Sequence, residues 1–319
     1  MIENLAGYNA WKRSTLDRLT AKYRRLVVRV FERNIKSHEN AVIHALTTNQ
    51  KMFPLNLAEL DHQLKPIFTS HIIETIHVGV SDGIREVTPQ NELGTWQKWP
   101  YDYPVEKTIT LMGEKKIRDK VTESIIEFLF KGKRKKLLNK KIDEVIRLEK
   151  QRYLKNIEVI FKTSSAKYFE DPENTSPRSV FVDVLKTSLR KTDVAAEMIF
   201  RTETTRYFNE SRIAYFREHT STDFMQLIAI TDGRISKICE SRDNYVIPAG
   251  KSGQKKFKPP FHPNCRTVLS PLNTDTRSAQ AVVRQNLGSE FGDVHSETSD
   301  LDFKGVRAPP SVKLPKGWD

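Results

Sequence analysis

One stretch of the chain holds most of the residues able to do chemistry. Between 201 and 271 it reads Arg201-Thr-Glu-Thr-Thr-Arg206 with Asn209 beyond, then Asp232-x-Arg234, then Cys239, then PPFHPNCR at 259–266. Residues three and four apart on a helix are neighbours, so Thr202, Arg206 and Asn209 share one side and Glu203 can pair with Arg206. Arg201, Glu203, Arg234 and Arg266 form a charged set suited to tying that helix to a loop. Cys239 and Cys265 are the only cysteines, and a cysteine often packs simply as a small hydrophobe. His262, flanked by Phe261 and Pro263, suits a hydrogen bond to the loop backbone. His262, Asn264 and Asp232 are also the one combination from which a metal-dependent nuclease can be assembled, although the usual supporting His/Asp pair just upstream is missing. No phosphate-binding GxxxxGK[ST] loop, GxSxG elbow or HExxH pair occurs. The other histidines, among them His38, His44, His62, His71 and His77, are mostly scattered over the N-terminal region. The expectation is a chain that is not an enzyme.

These residues need a helix, a strand and a loop to position them, and the pattern supplies all three. A helix from 192 to about 218, opened by the capping pair Thr192-Asp193, carries the first block. The apolar run 224–231 reads as a strand, closed by the turn dipeptide Asp232-Gly233. Pro259, Pro260, Pro263 and Pro271 keep the following segment extended or irregular. Upstream, Leu16, Leu19, Tyr23, Leu26, Val27, Val30 and Phe31 recur at three- and four-residue steps. This spacing gives a helix with Arg18, Lys22, Arg25 and Arg29 on its opposite face, started at Ser14-x-x-Asp17. A second helix is expected over 57–80, followed by a loop holding Trp96, Trp99, Tyr101 and Tyr103.

The chain has 319 residues, 38% of them hydrophobic, enough for a core and too many for wholesale disorder. The fold class expected is α+β, mainly α. It comprises a helical domain over 1–170, a small α+β module with a short β-sheet over 178–272, and a largely disordered tail over 273–319 with Trp318 as a docking anchor. The polar stretch 171–177, with its two prolines, marks the boundary. No apolar run approaches the ~20 residues of a membrane span. The N-terminus lacks an apolar signal core, and two cysteines suit a reducing cytoplasm rather than a disulfide scaffold.

Charge is the strongest compositional signal. Lys and Arg number 53 against 40 Asp and Glu, a net charge of +13, which favours a polyanionic partner or an acidic protein surface. Eighteen Lys and Arg against nine Asp and Glu fall in the helical region 105–169. They peak at Lys131, Lys133, Arg134, Lys135, Lys136, Lys140 and Lys141, with Gly132 as a break between helices. Such a cluster is either a solvated helix face or a surface for nucleic-acid phosphates. No aromatic residue interleaves it, so stacking on single-stranded bases is not implied.

The order R-T-E-T…N, then a strand ending D-x-R…C, then PPFHPNCR, resembles the phage Mu F-like minor head proteins, also called phage head morphogenesis proteins. The match covers 201–272 together with the layout of a helical region before the module, and PPFHPNCR is its most specific part. The resemblance implies a minor capsid component assembled in the host cytoplasm and present in few copies in the virion, inside the capsid near the portal vertex. Portal protein and packaged or exiting double-stranded DNA are its implied partners, with scaffolding or major capsid protein as further ones and no membrane. Two other readings stand beside it: the metal-dependent nuclease, and an architectural portal-binding protein that never meets DNA.

Many members of that family read D-x-R-x-C-x-x-C and later H-P-N-C-R-C. Here Ser236 and Thr267 stand at two of the cysteine positions, leaving Cys239, His262 and Cys265, with Asp232 or Asp243 nearby. Three outcomes stay open for that set: core packing, a Cys239–Cys265 disulfide, or a metal, zinc being the ion such donors suit. No cofactor is required. Because the family uses these positions as one cluster, Cys239 and Cys265 are expected to lie side by side.

Overall fold

The computed structural model describes residues 5–48, 57–87, 122–124, 126–127, 131–219, 224–230, 233–243, 245–248 and 258–272. The aromatic loop around Trp96, the acid Asp232, residues 105–121 and the segment 273–319 lie outside this set. Among the described residues the chain is mainly helical with one short antiparallel sheet. Helices α1 (Leu5–Ser37), α2 (Glu39–Thr47), α3 (Ala58–Val87), α4 (Gly132–Glu170) and α5 (Pro177–His219) are followed by strand β1 (Phe224–Ile228). A single-turn helix α6 (Lys237–Glu240), β2 (Val246–Pro248) and β3 (Val268–Leu272) complete it.

The helical periodicity of α1 is realised as expected. Leu16, Leu19, Tyr23, Val27, Val30 and Phe31 are buried and Leu26 half-buried, while Arg18, Lys22, Arg25 and Arg29 are exposed. Its start is earlier than Ser14: the helix begins at Leu5. Asp17 does not cap it but pairs with Arg201 at 3.3 Å. The second helix continues past residue 80 to Val87.

A larger correction concerns α5. Thr192-Asp193 does not open a helix; one helix runs unbroken from Pro177, with proline at the first helical position, where its missing N–H costs nothing. Residues that cap well also bond back within a helix. Thr192 donates to the carbonyl of Ser188 at 2.9 Å, and Ser188 to that of Leu185 at 3.0 Å, which keeps both buried hydroxyls satisfied in mid-helix. Helix α4 begins at Gly132, whose φ is +57°, a conformation glycine adopts without steric cost; residues 128–130 lie outside the described set.

Two compact units divide the chain: Met1–Asp17, Ile72–Phe128 and Arg201–Asp319 form one, Arg18–His71 and Leu129–Phe200 the other. This differs from a linear boundary at 171–177, which falls inside the second unit. Asp171 there accepts from the backbone and side-chain nitrogens of Asn174 at 3.3 and 3.0 Å. The polar composition marks a local turn between α4 and α5 rather than a gap in packing.

In the second unit, Phe68 stacks on Phe200 with centroids 4.9 Å apart, and His71 meets both Tyr23 and Phe200 edge-on. Tyr153 packs on Phe31 and donates to its carbonyl at 3.2 Å. In the first unit, α3 approaches α5 closely: a Cβ on Gly79 would lie 2.0 Å from Ser211 Oγ and 2.7 Å from the carbonyl of Phe208. The fully buried ion pair Asp82–Arg212 joins the same two helices, its guanidinium over the rings of Phe208 and Phe216.

The sheet has strand order β2-β1-β3, all antiparallel neighbours. Strand β1 ends at Ile228 rather than 231, and its alternation is clear: Met225 and Leu227 are buried, Gln226 and Ile228 half-buried. Pro248 and Pro271 sit in the two edge strands, where a missing N–H donor is tolerated.

Candidate metal centre

Helix α5 positions the site by reading the backbone of the segment before β3. Thr202, Thr205 and Asn209 lie on one buried face of it. Thr202 Oγ1 accepts from the N–H of Asn264 at 2.9 Å, and Thr205 donates to the carbonyl of Cys265 at 2.5 Å. The Asn209 amide donates to the carbonyl of Thr267 at 3.0 Å and accepts from the N–H of Leu269 at 2.8 Å. Three side chains thus fix four backbone groups between residues 264 and 269. Asn264, at φ +65°, makes the tight turn that returns the Cys265 N–H to the His262 carbonyl at 3.2 Å, a conformation asparagine tolerates.

Helix α6 supplies the other half. Ser236 caps it, accepting from the N–H of Cys239 at 3.2 Å, and so fixes Cys239 against the loop. Cys239 Sγ lies 2.9 Å from His262 Nε2 and 3.7 Å from Cys265 Sγ. Ser236 Oγ lies 2.7 Å from the same Nε2, and His262 Nδ1 bonds the carbonyl of Pro263 at 2.6 Å. Nδ1 therefore carries a proton donated to that carbonyl, which aims Nε2 at the sulfurs.

The electrostatics follow from burial and these bonds. The thiol of Cys265 helps hold Cys239 well below the usual thiol range, against burial, with His262, Ser236 and Thr267 adding to the effect. His262 is raised, chiefly by its bond to Cys239. Cys265, fully buried beside that charge, is raised. Both directions favour a charged pair of Cys239 and His262 over the neutral one. Arg242, buried with its guanidinium 4.2 Å from the Phe261 ring centroid, is lowered by burial and supported by both sulfurs.

Both cysteines are free; their separation is far beyond the ~2.05 Å of an S–S bond. It does match a shared tetrahedral ion: Zn–S bonds of ~2.3 Å put two thiolates about 3.8 Å apart. One donor atom from each of Cys239, His262 and Cys265 falls within 4.8 Å of the others. Two thiolates and an imidazole suit zinc, so the residues present fit that ion and would supply a structural cross-link between α6 and the loop.

The remaining candidates divide. Asp243 is not part of the set: its carboxylate accepts from the N–H of Ala229 at 2.7 Å, ending β1. Glu203 pairs with Arg206 at 3.3 Å as the helical spacing requires. Arg201 turns to Asp17, Arg234 is exposed and Arg266 is buried, and the ion pair that joins α5 to the loop is Glu210–Lys258 at 2.8 Å. Thr205 and Arg242 carry no motif signal by themselves. Thr205, four residues before Asn209, was legible by helical spacing alone.

In α4, Leu138, Ile142, Ile146, Tyr153, Ile157 and Ile160 are buried, which turns Lys135, Lys136, Lys140 and Lys141 outward, all exposed like Lys131. The side chains of Lys133 and Arg134 lie outside the described residues. Further along the helix, four of the six basic residues have carboxylate partners: Arg147 with Glu144, Lys150 with Asp61, Arg152 with Glu149 and Lys162 with Glu158. Among the described residues Lys135, Lys136, Lys140 and Lys141 have none. No described helix is long and apolar enough to cross a membrane. No protein-family model, no curated protein and no solved structure matches this chain.

Proposed function

We propose that this chain is a minor head protein of a tailed phage, of the Mu F-like kind. It is built into the procapsid in few copies near the portal and contacts packaged or exiting double-stranded DNA. The observation that carries this reading is convergence. The residues through which the sequence resembles that family, Thr202 and Asn209 on α5, Cys239 after the strand, and His262 and Cys265 in PPFHPNCR, meet in one small folded unit. They are spent on backbone hydrogen bonds and on one another, as suits an architectural module rather than an active site.

The DNA contact is assigned to the start of α4. Four exposed lysines without carboxylate partners stand at a helix N-terminus that has no acidic residue in its first turn. Like charges there are unfavourable next to the positive end of the helix dipole, and a phosphate backbone relieves both. Portal protein is the protein partner, with scaffolding or major capsid protein beside it.

Two assays on the purified chain test this. Co-sedimentation with procapsids and retention on portal rings is the expected result, together with sequence-independent duplex binding and no DNA cleavage. Metal-dependent cleavage abolished by His262→Ala would replace the reading with a nuclease. Portal retention without any DNA affinity would reduce it to an architectural protein.

A further inference from the structure

Cys239, His262 and Cys265 supply three donors where a tetrahedral ion takes four, and the geometry indicates what fills the fourth place. We propose that Ser236 takes the fourth corner of a zinc centre whose other corners are Cys239, His262 and Cys265. Its hydroxyl oxygen is already 2.7 Å from His262 Nε2, the nitrogen that also faces Cys239. The oxygen is held there independently of any ion, because it caps α6 through the N–H of Cys239.

Of the nearby alternatives, the Asp243 carboxylate is bound to the end of β1. The Thr267 hydroxyl is buried and also faces Cys239, but Ser236 is the hydroxyl that lies against both Cys239 and His262 Nε2. Nor is a disulfide needed to explain the approach of the two sulfurs, since 3.7 Å is the spacing a shared ion imposes. Two thiolates, a neutral imidazole and a neutral hydroxyl leave a Zn²⁺ centre uncharged. Such a centre cross-links α6 to the loop whether or not α4 meets DNA.

Cobalt(II) titration of the reduced full-length chain tests this, because tetrahedral cobalt reports its thiolate count through sulfur-to-metal charge transfer. The wild type should bind one equivalent with tetrahedral ligand-field bands, and zinc should displace it. S236C should raise the charge-transfer intensity by about half, as two thiolates become three, and tighten zinc binding. S236A should weaken zinc binding by about tenfold or more in competition with a chelator, and T267V, which removes the second hydroxyl facing Cys239, should weaken it less than S236A. Absence of tetrahedral cobalt bands in the wild type overturns the centre. S236A matching the wild type, or S236C leaving the charge-transfer intensity at the two-thiolate level, removes Ser236 from it. Each of the two serine variants decides the point alone, provided circular dichroism shows that it folds.

Discussion

Asn209 on α5 accepts from the backbone N–H of Leu269 in β3 at 2.8 Å, while its amide nitrogen donates to the carbonyl of Thr267 at 3.0 Å. One side chain therefore satisfies two backbone groups where the loop enters β3. It also donates to the carbonyl of Thr205 at 2.9 Å, and all of these groups are buried.

Removing this amide strands a buried N–H and a buried carbonyl, each costing about 1–3 kcal/mol. Asn209→Ala should therefore lower the unfolding free energy by about 3 kcal/mol, read as a shift of the urea midpoint at unchanged slope. Asn209→Asp should be no better, because a carboxylate would face two carbonyls that need a donor. A loss below about 0.5 kcal/mol for the alanine variant would show that the strand holds its place without the helix.

The approach of α3 to α5 at Gly79 gives a second stability prediction. The new methyl of Gly79→Ala would meet the Phe208 carbonyl as well as the Ser211 hydroxyl. The helices must separate, a cost of about 3 kcal/mol by comparison with overpacked cores. Adding Ser211→Gly removes only the hydroxyl from the clash, so the double variant should recover part of the loss. Full recovery would mean that the backbone at Phe208 yields freely. Thermal or urea melts of the three variants decide it.

How much of this was legible in the sequence depends on the range of the interaction. The buried face of α1 was readable because helical period and burial are the same fact at Leu16, Leu19 and Tyr23. The start of α5 was misplaced because Thr192 and Ser188 satisfy their hydroxyls within the helix, and no local rule separates that from capping. The meeting of Cys239, His262 and Cys265 came from a family likeness; spacing alone does not bring residue 239 to residue 265. What the sequence concealed was the place of Arg242 beside the sulfurs and the exposure of Arg234. The Asp171–Asn174 turn looked like a domain boundary because turns and boundaries use the same polar residues.

His71 contributes to the acid limb of stability. It is fully buried between Tyr23 and Phe200, and burial lowers its pKa from 6.5 to about 3. Between these values the unfolded chain binds a proton that the folded chain refuses, so stability falls as pH drops from about 6.5 toward about 3. This one group contributes at most about 1.4 kcal/mol per pH unit. His71→Phe keeps an aromatic ring between its neighbours and removes the titration. The unfolding free energy of that variant should show a shallower decline over the same window, by one proton's worth of slope. An unchanged slope would mean that His71 takes up its proton in the folded chain.

The lysines of α4 give the prediction that most directly separates a DNA-contacting surface from a solvated one. If Lys135, Lys136, Lys140 and Lys141 contact phosphates, each contact releases counterions and adds about 0.9 to the slope of log affinity against log salt on duplex DNA. Replacing all four by alanine should then flatten the slope by up to about 3.6 and weaken binding to unrelated sequences equally. Lys150 supplies the control on the same helix: it is engaged by Asp61 at 2.8 Å, so Lys150→Ala should leave the slope within experimental error. Because all four positions face outward from the buried row of Leu138, Ile142 and Ile146, the quadruple variant should melt like the wild type. A lost slope cannot then be attributed to unfolding. An identical slope in the quadruple variant and the wild type would leave the start of α4 as a hydrated helix face.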